Sequence, residues 1–156
     1  MIRDVTDLTV YSESLWLLRK LYELLRKLPK SEYDSVVQCK KCGKSIPANV
    51  AEGFAKRSSE LEFKRYLKIA IGSSDELISH LRTIAIAVPR LFREAKELAE
   101  EYKVLSKRIN SLHTNWKSGK FWLSDNPVHW VSSEFSEKIV VPVTTYIEDI
   151  LHKDKI

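Results

Sequence analysis

Glycine and proline are scarce in this chain, with four and five in 156 residues. A fold of short strands joined by tight turns consumes both, so their scarcity argues against a turn-rich β architecture. Cysteine is scarcer still. Cys39 and Cys42 are too few for a disulfide scaffold, and their i,i+3 spacing on a helix rarely suits a bridge. No uncharged run approaches the roughly 20 residues that a membrane-spanning helix needs. The opening MIRDVTDLTVY has no basic stretch followed by an apolar core. No secretory signal is therefore expected, and a cytoplasmic location is. Walker, G-x-S-x-G and H-E-x-x-H motifs are also missing, so a non-enzymatic protein without a cofactor is expected.

What the chain has is helix. Its length suits one domain with a real core, and 44% apolar with 30% charged residues is ordinary for a globular protein. Leu, Glu, Lys, Arg and Ala dominate to about residue 116. A first helix is expected over 7–28. Tyr11, Leu15, Leu18, Tyr22 and Leu25 form one apolar stripe, and Leu17, Leu21, Leu24 and Leu28 form a second beside it. Two stripes are wider than one bundle core requires, which hints at an oligomer covering the surplus. Pro29 closes this helix.

A second helix is expected over 34–56, with Cys39, Gly43, Ile46, Val50 and Gly53 on its buried seam. It contains SIPANVAEGF, three residues of which weaken a helix. The glycines on the seam let a neighbouring helix approach closely. Pro47 cannot donate to the carbonyl of Gly43, so either the helix bends there or it begins afresh at Pro47. An interior proline costs about 3 kcal/mol and each glycine about 1 relative to alanine, so packing must offset them.

The third helix opens on an S-x-x-E capping box, Ser59 and Glu62. Phe63, Leu67, Ala70, Ser74, Leu77, Leu81, Ile84 and Val88 keep a seven-residue repeat until Pro89. Leu91, Ala95, Leu98, Tyr102, Leu105, Ile109, Leu112 and Trp116 repeat the rule in the fourth. Sustained a/d spacing with short connections predicts an all-α, antiparallel up-down-up-down four-helix bundle over 1–116. Residues 117–156 read as a C-terminal, aromatic-rich appendage. Gly119 and Asn126-Pro127 break it, and the segment from Ser136 fits either a short helix or an extended strand interrupted by Pro142.

The net charge is +5, and the whole excess lies between residues 40 and 68. Lys40, Lys41, Lys44, Lys56, Arg57, Lys64, Arg65 and Lys68 stand there against Glu52, Glu60 and Glu62. Such a segment either contacts RNA or DNA or is a solvated helix surface. Aromatic residues are sparse within it, so phosphate contact is expected over base readout.

Asn49 and Glu52 share a side of the second helix. Their expected partners are Ser73 and Ser74 of the third helix, or backbone freed by Pro47. CKKCGK resembles a zinc knuckle, but a structural zinc wants four ligands and no second pair exists. His80, His113, His129 and His152 show no ligand spacing, so no metal is expected. Should a metal be bound, sharing between subunits is the expected arrangement. The tryptophans read as packing anchors rather than base-stacking platforms, with Trp122 and Trp130 in the appendage the two that leave the alternative open.

The stretch from Val36 to Leu77 resembles the core of the 23S rRNA intervening sequence proteins. That family reads Q-x-R-R-A-x-x-S-I-P-x-N-I-A-E-G, then a basic linker, then F-x-x-x-L-x-I-A-x-G-S-x-x-E-L. Gln38, Ser45, Ile46, Pro47, Asn49, Ala51, Glu52, Gly53, Phe63, Leu67, Ile69, Ala70, Gly72, Ser73, Glu76 and Leu77 fall at matching places. Lys40 and Lys41 replace two arginines, and Cys39, Cys42 and Gly43 replace more ordinary apolar residues. The resemblance implies a four-helix bundle assembling as a ring, often a pentamer. It also implies similarity to the accessory variability proteins of diversity-generating retroelements, whose basic pentamers bind nucleic acid and a reverse transcriptase. The expected function is oligomeric nucleic-acid binding, with a protein-interaction scaffold as the alternative.

Overall fold

A computed structural model describes residues 2–118. The appendage beyond 118, including Gly119, Trp122, Trp130, His129, His152 and the segment from Ser136, lies outside the described residues.

Among the described residues the α-helices are α1 (Thr9–Leu25), α2 (Tyr33–Ala55), α3 (Glu60–Ala87) and α4 (Phe92–Asn115). No strand occurs among the described residues, so the expected all-α bundle is what forms. α3 packs along both α2 and α4, and α1 closes the bundle against the same two helices. Every sequential neighbour is thus a spatial neighbour, as short connections require. No helix among the described residues is long and apolar enough to cross a membrane.

The first helix is shorter than its periodicity implied. A single 3-10 turn, Val5–Asp7, precedes it under a capping box. The Asp4 carboxylate accepts from the Thr6 amide at 2.9 Å, and Asp7 accepts from the Asp4 amide at 3.0 Å. At the other end the chain tightens to i→i+3 bonds at Lys27 and Leu28. Pro29 disfavours helical backbone at the residue before it, so Leu28 packs on the core from outside the helix.

Pro47 lies inside an unbroken α2, so the helix does not begin afresh there. The entry to α3 also differs from expectation. Ser59 Oγ accepts from the Glu62 amide at 3.3 Å, but Glu62 does not return the bond. The Ser59 amide is already donated to the Lys56 carbonyl, and the Glu62 carboxylate is held by Arg65. Half of the capping box forms.

The heptad residues of α3 and α4 fill the core, only Leu112 remaining partly exposed. Trp116 closes one end, its ring edge-on to Phe63 at 4.5 Å. On α1, Leu17, Leu21 and Leu24 are buried, while Tyr11, Leu15, Leu18 and Tyr22 are half-buried. Gly43 explains how one residue of each stripe is covered. A β-carbon there would stand 2.5 Å from Leu21 Cδ2 and 3.0 Å from Leu18 Cδ1, so its absence lets α1 lie against α2. Gly53 does the same for α3, with Tyr66 Cβ 2.7 Å from the missing atom. Gly72 faces open space, and no close approach requires it.

The seam between α1 and α4 is closed by three ion pairs, Glu13–Arg108, Lys20–Glu101 and Lys27–Glu94. Their members recur every seven residues along the two segments, in opposite chain directions, with Lys27 just past the end of α1. Periodicity of apolar residues alone does not reveal them.

Candidate nucleic-acid interface

α2, α3 and the turn between them carry all eight basic residues, and α2 holds the whole SIPANVAEG element. Three of the eight are neutralised within the segment itself. Lys56 pairs with Glu52 at 3.1 Å, Lys64 with Glu60 at 2.6 Å, and Arg65 with Glu62 in a two-point bond. These are the three acidic residues of the segment, and Lys40, Lys41, Lys44, Arg57 and Lys68 stand outside those three pairs.

Those five do not share one surface. Arg57 is half-buried at the α2–α3 turn, its guanidinium 4.0 Å from the centroid of Phe54 and bonded to the Phe54 carbonyl. Lys68 lies near His113 of α4, where its charge and that of Lys64 add to burial in lowering the imidazole pKa. Lys40, Lys41 and Lys44 lie together on α2, lining an open groove with Tyr33, Val36 and Val37. Their spacing of three and four residues brings them to one flank, as expected. None of these three makes an ion pair among the described residues. Lys40 Nζ lies over the Tyr22 ring of α1, 5.4 Å from its centroid. Tyr33 is 68% exposed and presents a flat ring at the end of the lysine row. Sequence inspection confined to residues 40–68 missed it, because the signal is a tyrosine two helical turns before the lysines.

The motif residues do structural work between α2 and α3. Ser45 Oγ and Ser73 Oγ are 2.8 Å apart across the helix pair. The Asn49 amide donates to the Ser45 carbonyl and hydroxyl, so it reaches Ser73 through Ser45 and not directly. Ser74 turns the other way, donating to the Tyr102 carbonyl and accepting from Ser106 of α4. Glu52 accepts from the Tyr66 hydroxyl at 2.6 Å. That bond, with Lys56, holds its carboxyl below the usual range. Lys56 and Arg65 each stand 4.4 Å from the Tyr66 centroid. These contacts engage the polar side chains of the motif in bonds within α2 and to α3.

Cys39 and Cys42 are both buried and unbridged. His80 is not isolated. Its Nε2 lies 3.8 Å from Glu76 Oε1, within reach of Cys42.

The sequence model of the 23S rRNA-intervening sequence proteins matches residues 6–111. The chain belongs to that family. No curated protein matches it. The family region takes in all eight basic residues and both close-approach glycines. It stops short of Trp116, which the core nevertheless needs as its end plug.

Proposed function

We propose that this member of the intervening sequence family is a non-enzymatic, cytoplasmic protein that binds structured RNA or DNA through the Lys40–Lys41–Lys44 groove. What supports this reading is that Lys40, Lys41 and Lys44, none of them in an ion pair among the described residues, line one groove beside the exposed Tyr33 ring. Contacts to phosphate dominate, so binding is salt-dependent and weakly sequence-selective. The chain assembles as a homo-oligomer, and a pentamer is the form that the resemblance favours. Repeating the groove around a ring raises the local field well above that of one subunit.

Filter binding of a structured rRNA fragment at several salt concentrations tests it. Changing Lys40, Lys41 and Lys44 together to glutamine lowers the salt slope by about one per lysine lost. The same change at Lys56, Lys64 and Arg65, whose charges are already engaged, has a smaller effect. No binding at low salt, or equal losses in both triple variants, rejects the reading. Light scattering supplies the subunit number.

A second reading is favoured by Ile86 and Phe92, 80% and 52% exposed on either side of the α3–α4 turn. There the protein is an accessory subunit for a partner such as a reverse transcriptase, with no direct nucleic-acid role. Co-purification with that partner that survives nuclease treatment and is lost in Phe92→Glu distinguishes it.

A further inference from the structure

The packing of α2 on α3 brings together three side chains of different ligand type. Cys42 comes from α2, and Glu76 and His80 stand one turn apart on α3. One ligand atom from each lies within 4.8 Å of the other two. We propose that Cys42, Glu76 and His80 form a binding site for one divalent metal ion, fitted best to Zn2+, which ties α2 to α3.

The donor set selects the metal. A thiolate, an imidazole and a carboxylate suit a borderline-soft ion, whereas Ca2+ and Mg2+ want oxygen alone. Helical bundles build such sites from side chains on facing helices. Tetrahedral bonds of the usual Zn2+ lengths place ligand atoms roughly 3.5 Å apart, so no pair of the trio must close by more than about 1.3 Å. The geometry allows that movement, because only one member is fixed. Cys42 sits on the buried seam, His80 is half-buried and Glu76 is exposed, so the two α3 side chains have room to turn inward. Three protein ligands leave a fourth position for solvent.

Metal binding must displace a proton from the thiol. Burial raises the Cys42 thiol to about 11, and the charge of Glu76 and its acceptance of the thiol proton add to the effect. The exposed Lys41 ammonium works the other way. In the metal-free protein the trio is thus a protonated thiol facing a carboxylate, and the metal takes the place of that proton. Cys39, one turn earlier and fully buried, lies outside the cluster and serves as a control.

The full chain, reduced and stripped with a chelator, is titrated with Co2+ and then with Zn2+. The expected result is one Co2+ per chain, with a thiolate charge-transfer band and tetrahedral visible absorption, both erased by Zn2+. Cys39→Ser keeps the band and Cys42→Ser loses it. Glu76→Gln and His80→Gln, at residues outside the buried core, weaken uptake about tenfold or more. The proposal is overturned by no stoichiometric uptake, by uptake without the thiolate band, or by uptake that both surface variants leave unchanged.

Discussion

Arg108 Nη1 donates to Glu13 Oε2 at 2.8 Å, joining α4 to α1. Glu13 is only 5% exposed, and burial raises its pKa against the opposing influence of the guanidinium. The two pairs further along, Lys20–Glu101 and Lys27–Glu94, follow at the same seven-residue interval. A slip by one residue would separate all three, so the ladder selects one register for two helices whose leucine-rich faces permit several.

Removing Arg108 therefore costs more than removing the charge of Glu13. Arg108→Ala leaves a buried carboxylate without its cation, at about 3 kcal/mol, while Glu13→Gln costs about 1. Without the guanidinium, the folded-state pKa of Glu13 rises further above its unfolded value. The folded variant then holds the proton more tightly than the unfolded chain, so acidification from neutral pH narrows its deficit. Urea unfolding at pH 7 and pH 5 checks this. A deficit that stays constant means Glu13 is not the group responsible.

Three glycines should respond to alanine in three ways. At Gly53 the new carbon meets Tyr66 Cβ, which is tied to the α3 backbone, so the helices must separate. A loss of about 2–3 kcal/mol follows. At Gly43 it meets the movable ends of Leu21 and Leu18, and a loss of about 1 kcal/mol is expected. Gly72→Ala gains about 0.5–1 kcal/mol, because nothing obstructs the methyl and helix propensity improves. Thermal melting orders the set, and an inverted order of Gly53 and Gly72 would contradict the packing described.

The Tyr102 hydroxyl is fully buried and has no hydrogen-bond partner among the described residues. Burial, with smaller contributions from Cys39 and Glu101, pushes its pKa well up. Tyr102→Phe keeps the ring and removes an orphaned donor, so stability should hold or rise by up to about 1 kcal/mol. A clear loss in denaturant midpoint would reveal a partner for the hydroxyl.

Acid should weaken the fold partly through His113. Burial, Lys68 and Lys64 hold its pKa below the ordinary 6.5. The unfolded chain then binds the proton more readily than the folded one. The stability this group contributes is present above 6.5 and lost as pH falls through the lower folded value. His113→Gln flattens the stability curve in that window. An NMR titration placing the His113 midpoint above 6.5 would refute the assignment.

Much of the bundle was legible in the heptads of α3 and α4, because an a/d residue is buried in any packing that works. The seam glycines were legible for a similar reason, since Gly43 and Gly53 occupy apolar positions where a side chain was to be expected. The ends of α1 were not, because the Asp4–Asp7 cap and the constraint of Pro29 on Leu28 compete with periodicity locally. The basic segment was legible as a charge count. Its three internal pairs also have helical spacing, three or four residues apart, whereas the Tyr66 hydroxyl bonded to Glu52 and Lys56 arrives from α3 and was not legible.

By itself the sequence determined which stretches are helical, which stripe of each is apolar, and how much charge the middle of the chain carries. These are properties of residues three, four or seven apart, and helix geometry alone converts such spacing into a face. Only the tertiary structure decided that Glu13 meets Arg108, that Cys42 meets Glu76 and His80, and that Gly72 meets nothing. Those outcomes depend on the rotation and axial register of separate helices, and shape and charge complementarity set both only once the helices pack.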